Sequence, residues 1–175
     1  MTAKVNCVLD MIKRNIKCKN AAIIMSLYKI LVRSRLEYCI QAWYPYHKDI
    51  EVLERVQKRA TMVYGYGDLN YKDRLSLLEL PSLEERRVRG DLIEAFKLLK
   101  VIAKLDYSLF FKLSGDSKVR GHTYKVVKNS FRLDVRKNFF SNRVVDAWNE
   151  LPQYVVDAET VNSFNARLDK FFHKI

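Results

Sequence analysis

Apolar residues recur along most of this chain at steps of three and four, the spacing of one buried face of an α-helix. Val5, Val8, Leu9, Ile12 and Ile16 predict a first helix over 4–17, with Lys13, Arg14 and Lys17 elsewhere on its surface. Asn20 stands where a cap belongs, before a second helix running from Ala21 to about Trp43 and stopped by Pro45. That helix is apolar round most of its circumference, so it belongs in the middle of a core. A third helix over 48–63 carries Ile50, Leu53, Val56, Ala60 and Val63 on one stripe, with Glu51–Arg55 and Glu54–Lys58 at i,i+4 on the other. Gly65 and Gly67 break the pattern, and a short helix over 71–78 follows Asn70.

Ser82 and Glu85 form the S-x-x-E capping box that opens a long helix over 83–105, with Leu92, Ala95, Phe96, Leu99 and Ile102 as its buried stripe. Gly90 sits inside it at a cost of about 1 kcal/mol relative to Ala, a choice that a close helix–helix approach would explain. The period changes after residue 106. Turn signals at Ser114-Gly115-Asp116 and Arg120-Gly121 precede alternating runs, Tyr124–Val126–Lys128 and Phe131–Leu133–Val135, on either side of Asn129-Ser130. They predict a hairpin over about 122–136. Helices over 138–150, closed by Leu151-Pro152, and from Thr160 onward complete a mainly α chain with one small β-hairpin. The division expected is a helical region over 1–68 and a C-terminal region over 69–175, with no internal repeat and no flexible linker.

With 49% hydrophobic and 30% charged residues, the 175-residue chain can bury a core, which excludes wholesale disorder. No apolar run reaches the roughly 18–20 residues of a membrane span, and the first residues do not read as a secretory signal. Cys7, Cys18 and Cys39 are odd in number and loosely spaced, which fits reduced thiols inside the cell, in nucleus or cytoplasm.

The net charge of +12 is concentrated. Residues 1–35 carry +7, residues 112–143 carry +7, and the remainder carries −2. Two such blocks fit a polyanion, most simply nucleic acid, held by phosphate contacts. The candidate contacts are Lys13, Arg14, Lys17 and Lys19 in the first block, and Lys125, Lys128, Arg132, Arg136, Lys137 and Arg143 in the second. Solvated surface charge is the competing explanation.

Catalytic equipment is not apparent. Two-metal chemistry needs clustered carboxylates, but the one acidic doublet, Glu84-Glu85, lies in a first helical turn where acids suit the helix dipole. His47, His122 and His173 have no metal-ligand spacing, and no phosphate-binding glycine loop is present, so neither metal nor cofactor is expected. A Cys–His hydrolase would need Cys39 or Cys18 beside a histidine, whereas Cys39 reads as a small core residue. Tyr38, Trp43, Tyr44, Tyr46, Tyr64, Tyr66 and Tyr71 gather at helix ends, as core lids or as stacking platforms for bases, while Trp148 reads as core.

Several strings resemble a known family. Leu27-Tyr28-Lys29-x-Leu31-Val32-Arg33-x-x-Leu36-Glu37-Tyr38-Cys39-x-Gln41-Ala42-Trp43-x-Pro45-Tyr46 is the first, and Glu54-Arg55-Val56-Gln57-Lys58-Arg59-Ala60-Thr61 the second. Leu83-Glu84-Glu85-Arg86-Arg87-x-Arg89-Gly90-Asp91-Leu92, Arg120-Gly121-His122 and the run from Arg136 through Phe139-Phe140-Ser141-x-Arg143 to Trp148-Asn149-x-Leu151-Pro152 follow in the same order. Together they are similar to the region downstream of the palm in LINE-type, jockey-like non-LTR retrotransposon reverse transcriptases. The resemblance implies a thumb and post-thumb segment of an RNA-directed DNA polymerase whose palm and endonuclease lie upstream, inert by itself. Residues 1–68 would then be a thumb-like helical bundle and 69–175 a C-terminal extension. The implied partners are RNA or DNA, an RNA–DNA duplex above all, and the palm domain of a reverse transcriptase. Ser34-Arg35 departs from the family's usual Pro-His and Tyr44 from its usual Ser, and the cysteine–histidine knuckle of some relatives is missing. The competing expectation is a protein-interaction or structural relic of a retroelement.

Overall fold

The structure is a computed structural model that describes residues 2–16, 20–39, 47–62, 66–100, 102–114, 121–130, 132 and 134–172. It is mainly helical. The helices are α1 (Thr2–Asn15), α2 (Ala21–Leu27), α3 (Ser34–Leu36), α4 (His47–Met62), α5 (Tyr71–Leu77), α6 (Leu83–Leu99), α7 (Asp134–Lys137), α8 (Phe140–Asn149), α9 (Gln153–Val156) and α10 (Val161–Phe172). A π-helical stretch, Tyr28–Arg33, joins α2 to α3. The chain forms two compact units, Met1–Arg87 and Val88–Ile175, so the boundary falls within α6. Division at residue 68 was the expectation. The first unit extends further because Leu80 and Leu83, after α5, are buried in its core.

Local capping explains where the helices start. Asn20 Oδ1 accepts from Ala22 N at 2.9 Å, and Asn70 Oδ1 from Asp73 N at 2.9 Å. The capping box closes in both directions: Ser82 N donates to Glu85 Oε2 at 2.9 Å and Glu85 N to Ser82 Oγ at 3.1 Å. At α10, Ser163 N donates to Thr160 Oγ1 at 3.1 Å.

In the first unit Val5, Leu9 and Ile12 of α1 pack with Ile24, Met25, Tyr28, Val32 and Leu36 and with Leu53, Val56 and Ala60 of α4. A polar network crosses this core. Tyr28 Oη donates to Gln57 Oε1 at 2.7 Å, and Gln57 Nε2 donates to Pro81 O at 3.0 Å and to Tyr71 Oη at 3.2 Å. Tyr71 Oη donates in turn to Glu54, whose other oxygen accepts from Leu83 N at 3.2 Å. Burial, aided by the bond to Glu54, holds the Tyr71 phenol well above its ordinary value. Glu54 therefore serves tertiary structure in place of the expected pairing with Lys58, whose Nζ lies 5.2 Å from the Tyr71 ring centre.

The second unit buries Leu92, Ala95, Phe96 and Leu99 of α6 against Val144, Val145 and Trp148 of α8, Val155 and Val156 of α9, and Phe164 and Leu168 of α10. Phe96 and Phe164 stack with ring centres 4.2 Å apart. Trp148 is 1% exposed, so the core role expected of it holds.

Five expectations give way. The hairpin over 122–136 is not found: among the described residues there is no strand, only an isolated antiparallel bridge between Leu113 and Val126, and Asp134–Lys137 is helical. That bridge is closed by Ser114 N donating to Lys125 O and Val127 N donating to Lys112 O, both at 2.8 Å, while the N–H and C=O of Val126 itself are held by a side chain. Val126 N donates to Asn149 Oδ1 at 3.0 Å, and Asn149 Nδ2 donates to Val126 O at 2.9 Å. The second helix ends at Leu36, well short of Trp43, which lies outside the described residues. Glu37 turns out of the helix, and Cys39 adopts φ 53° and is exposed, not a core residue. Helix α6 stops at Leu99, leaving Ile102 44% exposed. Gly90 answers to no close approach: a Cβ built there meets nothing within 4 Å.

Candidate nucleic-acid interface

The basic residues singled out by sequence separate into structural and free cations. Arg143 is structural. Its Nε donates to Asp91 Oδ2 at 2.7 Å and its Nη2 to Asp91 Oδ1 at 2.8 Å; Asp91 is buried and the Arg143 side chain is only 10% exposed. The remaining terminal nitrogen, Nη1, donates to Asn138 O at 2.8 Å. This two-pronged fork is the geometry a guanidinium uses for carboxylate or phosphate, and here Asp91 occupies it. Lys128 is exposed but pairs with Asp146 at 2.5 Å, an ion pair worth little at the surface. Lys125 is half-buried, its chain lying over Gly121: a Cβ on that glycine, at φ 120°, would sit 2.5 Å from Lys125 Cε.

Arg132, Arg136 and Lys137 are exposed, and none has an ion-pair partner among the described residues. Arg136 and Lys137 form the last turn of α7, immediately ahead of α8. The junction is fixed by Asn142 Nδ2, which donates to Arg136 O at 2.7 Å. Helix α8 starts on Phe139, whose φ of −63° and ψ of 142° are those of a cap but whose side chain cannot accept a hydrogen bond. Its carbonyl takes Asn142 N at 2.9 Å and Arg143 N at 3.0 Å. The earlier first-turn N–H groups have no acceptor within the helix, the Phe139 side chain does not cap them, and the first turn carries no acidic residue, so the partial positive end of α8 is left without those two stabilising features.

Beside this helix end lies a polar depression of about 240 Å³ lined by Asn129, Ser130, Arg136, Phe139, Ser141 and Asn142. It combines one guanidinium, hydroxyl and amide groups, and a phenyl ring that is 58% exposed. Sequence reasoning found Arg136 but missed the other five residues. The available signal was the absence of a capping residue before Phe140, next to the turn-forming Asn129-Ser130.

In the first unit Lys13 and Arg14 are exposed on the last turn of α1, where cations also suit the helix dipole, and Arg14 Nε reaches back to Asp10 O at 3.4 Å. Lys17 and Lys19, like Cys18, Tyr44, Tyr46, Tyr64 and His173, lie outside the described residues. His122 is buried: its Nε2 meets Trp148 O at 2.9 Å, and its ring stands edge-on to the Trp148 ring. Among the described residues, no group of three His, Cys, Asp or Glu side chains is placed to hold a metal ion. No helix among them is long and apolar enough to cross a membrane. Set against known proteins, the chain matches no family model, no curated protein and no solved structure.

Proposed function

We propose that the chain is a nucleic-acid-binding module that grips a duplex through its phosphates and supplies no chemistry of its own. The observation that carries this is the free cationic junction of α7 and α8: Arg132, Arg136 and Lys137 exposed beside a polar depression at an uncapped helix N-terminus. Exposed guanidinium and ammonium groups neutralise phosphates, the hydroxyls and amides of the depression donate to phosphate oxygens, and Phe139 offers a ring to an unpaired base. Such contacts position a backbone without reading its sequence. The ordered string of motifs similar to the post-palm region of LINE-type reverse transcriptases supports the same assignment. On that view the chain is the thumb and C-terminal extension of a polymerase whose palm is elsewhere, and an RNA–DNA duplex is the natural ligand.

Fluorescence anisotropy with labelled RNA–DNA duplex across a salt series tests the proposal. Binding should weaken linearly in log K against log salt. Arg136→Gln and Lys137→Gln should each reduce that slope by about one, since each removes one phosphate contact. No binding at low salt, or binding indifferent to salt, refutes it.

A second use of the first unit is favoured by one observation. An apolar depression of about 460 Å³ is lined by Lys4, Val5, Ser34, Arg35 and Tyr38, and Tyr38 is 71% exposed, which fits docking of another protein surface such as a palm domain. Light scattering after size exclusion at high salt should then show self-association that Tyr38→Ser relieves; a monomer at all concentrations counts against it.

A further inference from the structure

The first unit holds a second cationic group of a different build. The π-helical stretch ends on Arg33, and Glu37 follows where the chain leaves α3. Wide turns of this kind inside a helix recur at functional sites. Arg86, on the first turns of α6, completes the group. Its Nε donates to Glu37 Oε1 and its Nη2 to Glu37 Oε2 at 3.0 Å, so a single arginine engages both carboxylate oxygens. Arg33 Nε lies 3.9 Å from that same Oε1, beyond hydrogen-bonding range, and is buried with no hydrogen-bond partner. Tyr28 is buried alongside, its hydroxyl donating to Gln57.

Two guanidinium groups thus share one carboxylate, in a setting where the three side chains are only 16%, 30% and 18% exposed for Arg33, Arg86 and Glu37. The local charge is +1, and it is not dispersed into solvent. Burial, reinforced by repulsion from Arg86, holds Arg33 below its ordinary value, while Glu37 and Tyr28 act in the opposite direction. A buried guanidinium with an unsatisfied N–H is a costly arrangement unless an anion completes it.

We propose that Arg33 and Arg86 form a receptor for one phosphate group, with Glu37 holding the two guanidinium forks in place. A phosphate group matches what is missing. It brings negative charge to a site with one positive charge in excess, and its several acceptor oxygens can meet the terminal nitrogens of both guanidinium groups that Glu37 does not bond. A further carboxylate fits less well, because Glu37 already supplies that chemistry and leaves Arg33 unsatisfied. The phosphate has two possible sources, a free phosphate ion or a nucleic-acid backbone, and only the second rests on the function proposed above.

The test uses the full chain and two probes. In the first, inorganic phosphate is titrated at constant ionic strength, balanced with chloride, while arginine Nε–H signals are followed by heteronuclear NMR. The Arg33 signal is identified by its loss in Arg33→Lys. A saturable shift of the Arg33 and Arg86 signals with phosphate, absent with chloride alone, is expected; equal shifts with both anions overturn the site. In the second, RNA–DNA duplex binding is measured against salt for Arg33→Gln, with Arg33→Lys as the charge-conserving control and circular dichroism confirming the fold. A backbone source requires the slope to fall by about one in Arg33→Gln. A phosphate shift with an unchanged slope assigns the site to the free ion. If the phosphate shift is missing while Arg136→Gln still lowers the slope, this site fails and the nucleic-acid function stands. If phosphate shifts Arg33 but no duplex binds, that function fails and the site stands.

Discussion

Arg143 was expected to touch phosphate and is found locked to Asp91, so it separates a cation that holds the fold from one that binds a ligand. The pair is bidentate at 2.7 and 2.8 Å, with side chains only 10% and 5% exposed for Arg143 and Asp91. Arg143→Leu strands a buried carboxylate, and Asp91→Leu strands a buried guanidinium. Breaking a buried pair from one side costs about 3–5 kcal/mol, whereas replacing both partners by apolar residues is close to neutral. At an m-value of about 1.5 kcal/mol/M, either single substitution lowers the urea midpoint by about 2–3 M, and the double substitution restores most of it. Unfolding would be followed by Trp148 fluorescence in a Trp43→Phe background, so that the reporter lies inside the second unit's core. The double-mutant cycle should return a coupling of at least about 2 kcal/mol. Additive effects, or single losses under about 1 kcal/mol, would refute the assignment. So would an Arg143→Leu protein of unchanged stability whose duplex affinity has lost one unit of salt dependence.

Three further outcomes follow from the packing. Gly90→Ala should stabilise the chain by about 0.5–1 kcal/mol, since the position is helical and a Cβ there meets nothing within 4 Å; a lower melting temperature would contradict this. Gln57→Leu should cost about 1–3 kcal/mol in thermal or urea unfolding, because it strips partners from Tyr28 Oη, Tyr71 Oη and Pro81 O in a closed core; a neutral result would mean that water replaces the amide. His122 should make the second unit acid-sensitive. Burial holds its imidazole below the ordinary 6.5 against the bond to the Trp148 carbonyl, with repulsion from Lys125 adding to the shift and Asp157 opposing it. The unfolded chain therefore takes up the proton first: the His122 contribution to stability is complete above about pH 6.5 and is lost as pH falls from there toward the folded value. Urea midpoints at pH 7.5 and 5.5 should differ more for wild type than for His122→Gln, and equal differences would refute the linkage.

What the sequence revealed is what short-range chemistry decides. Asn20, Asn70, Ser82 with Glu85, and Thr160 act within three residues of themselves, and each caps where its neighbours imply. The buried stripes of α1, α4 and α8 are equally legible, because helical period alone sets them. Helix ends are less so. Glu37 leaves its helix to meet Arg86, forty-nine residues away in sequence, and nothing near Glu37 announces that partner. The hairpin expectation rested on alternation on either side of Asn129-Ser130, but the backbone at Val126 is bonded by the Asn149 side chain on one edge and by the 112–114 segment on the other. Alternation records which side chains are buried, not which group bonds the backbone. The depression beside α8 was hidden for a related reason: its polar residues come from three short segments that only the folded chain assembles.

The same distinction bears on the net charge that first pointed to nucleic acid. Counting along residues 112–143 gives +7, but two acids outside that block neutralise cations within it: Asp91 takes Arg143, and Asp146 takes Lys128. Discounting these two pairs, found among the described residues, leaves +5. Arginine bears most of the structural duty in this chain, since its fork can be satisfied on several sides in a dry setting, as Arg74 shows with bonds to Thr61 Oγ1 and Leu69 O while only 4% exposed. A salt slope counts phosphates neutralised, not basic residues present. Replacing Arg132, Arg136 and Lys137 together should therefore remove about three units of slope, one per contact, while replacing Lys128 removes almost none. If Lys128 proved equal to Lys137, charge density alone would govern binding, and the ordered junction of α7 and α8 would be irrelevant to it.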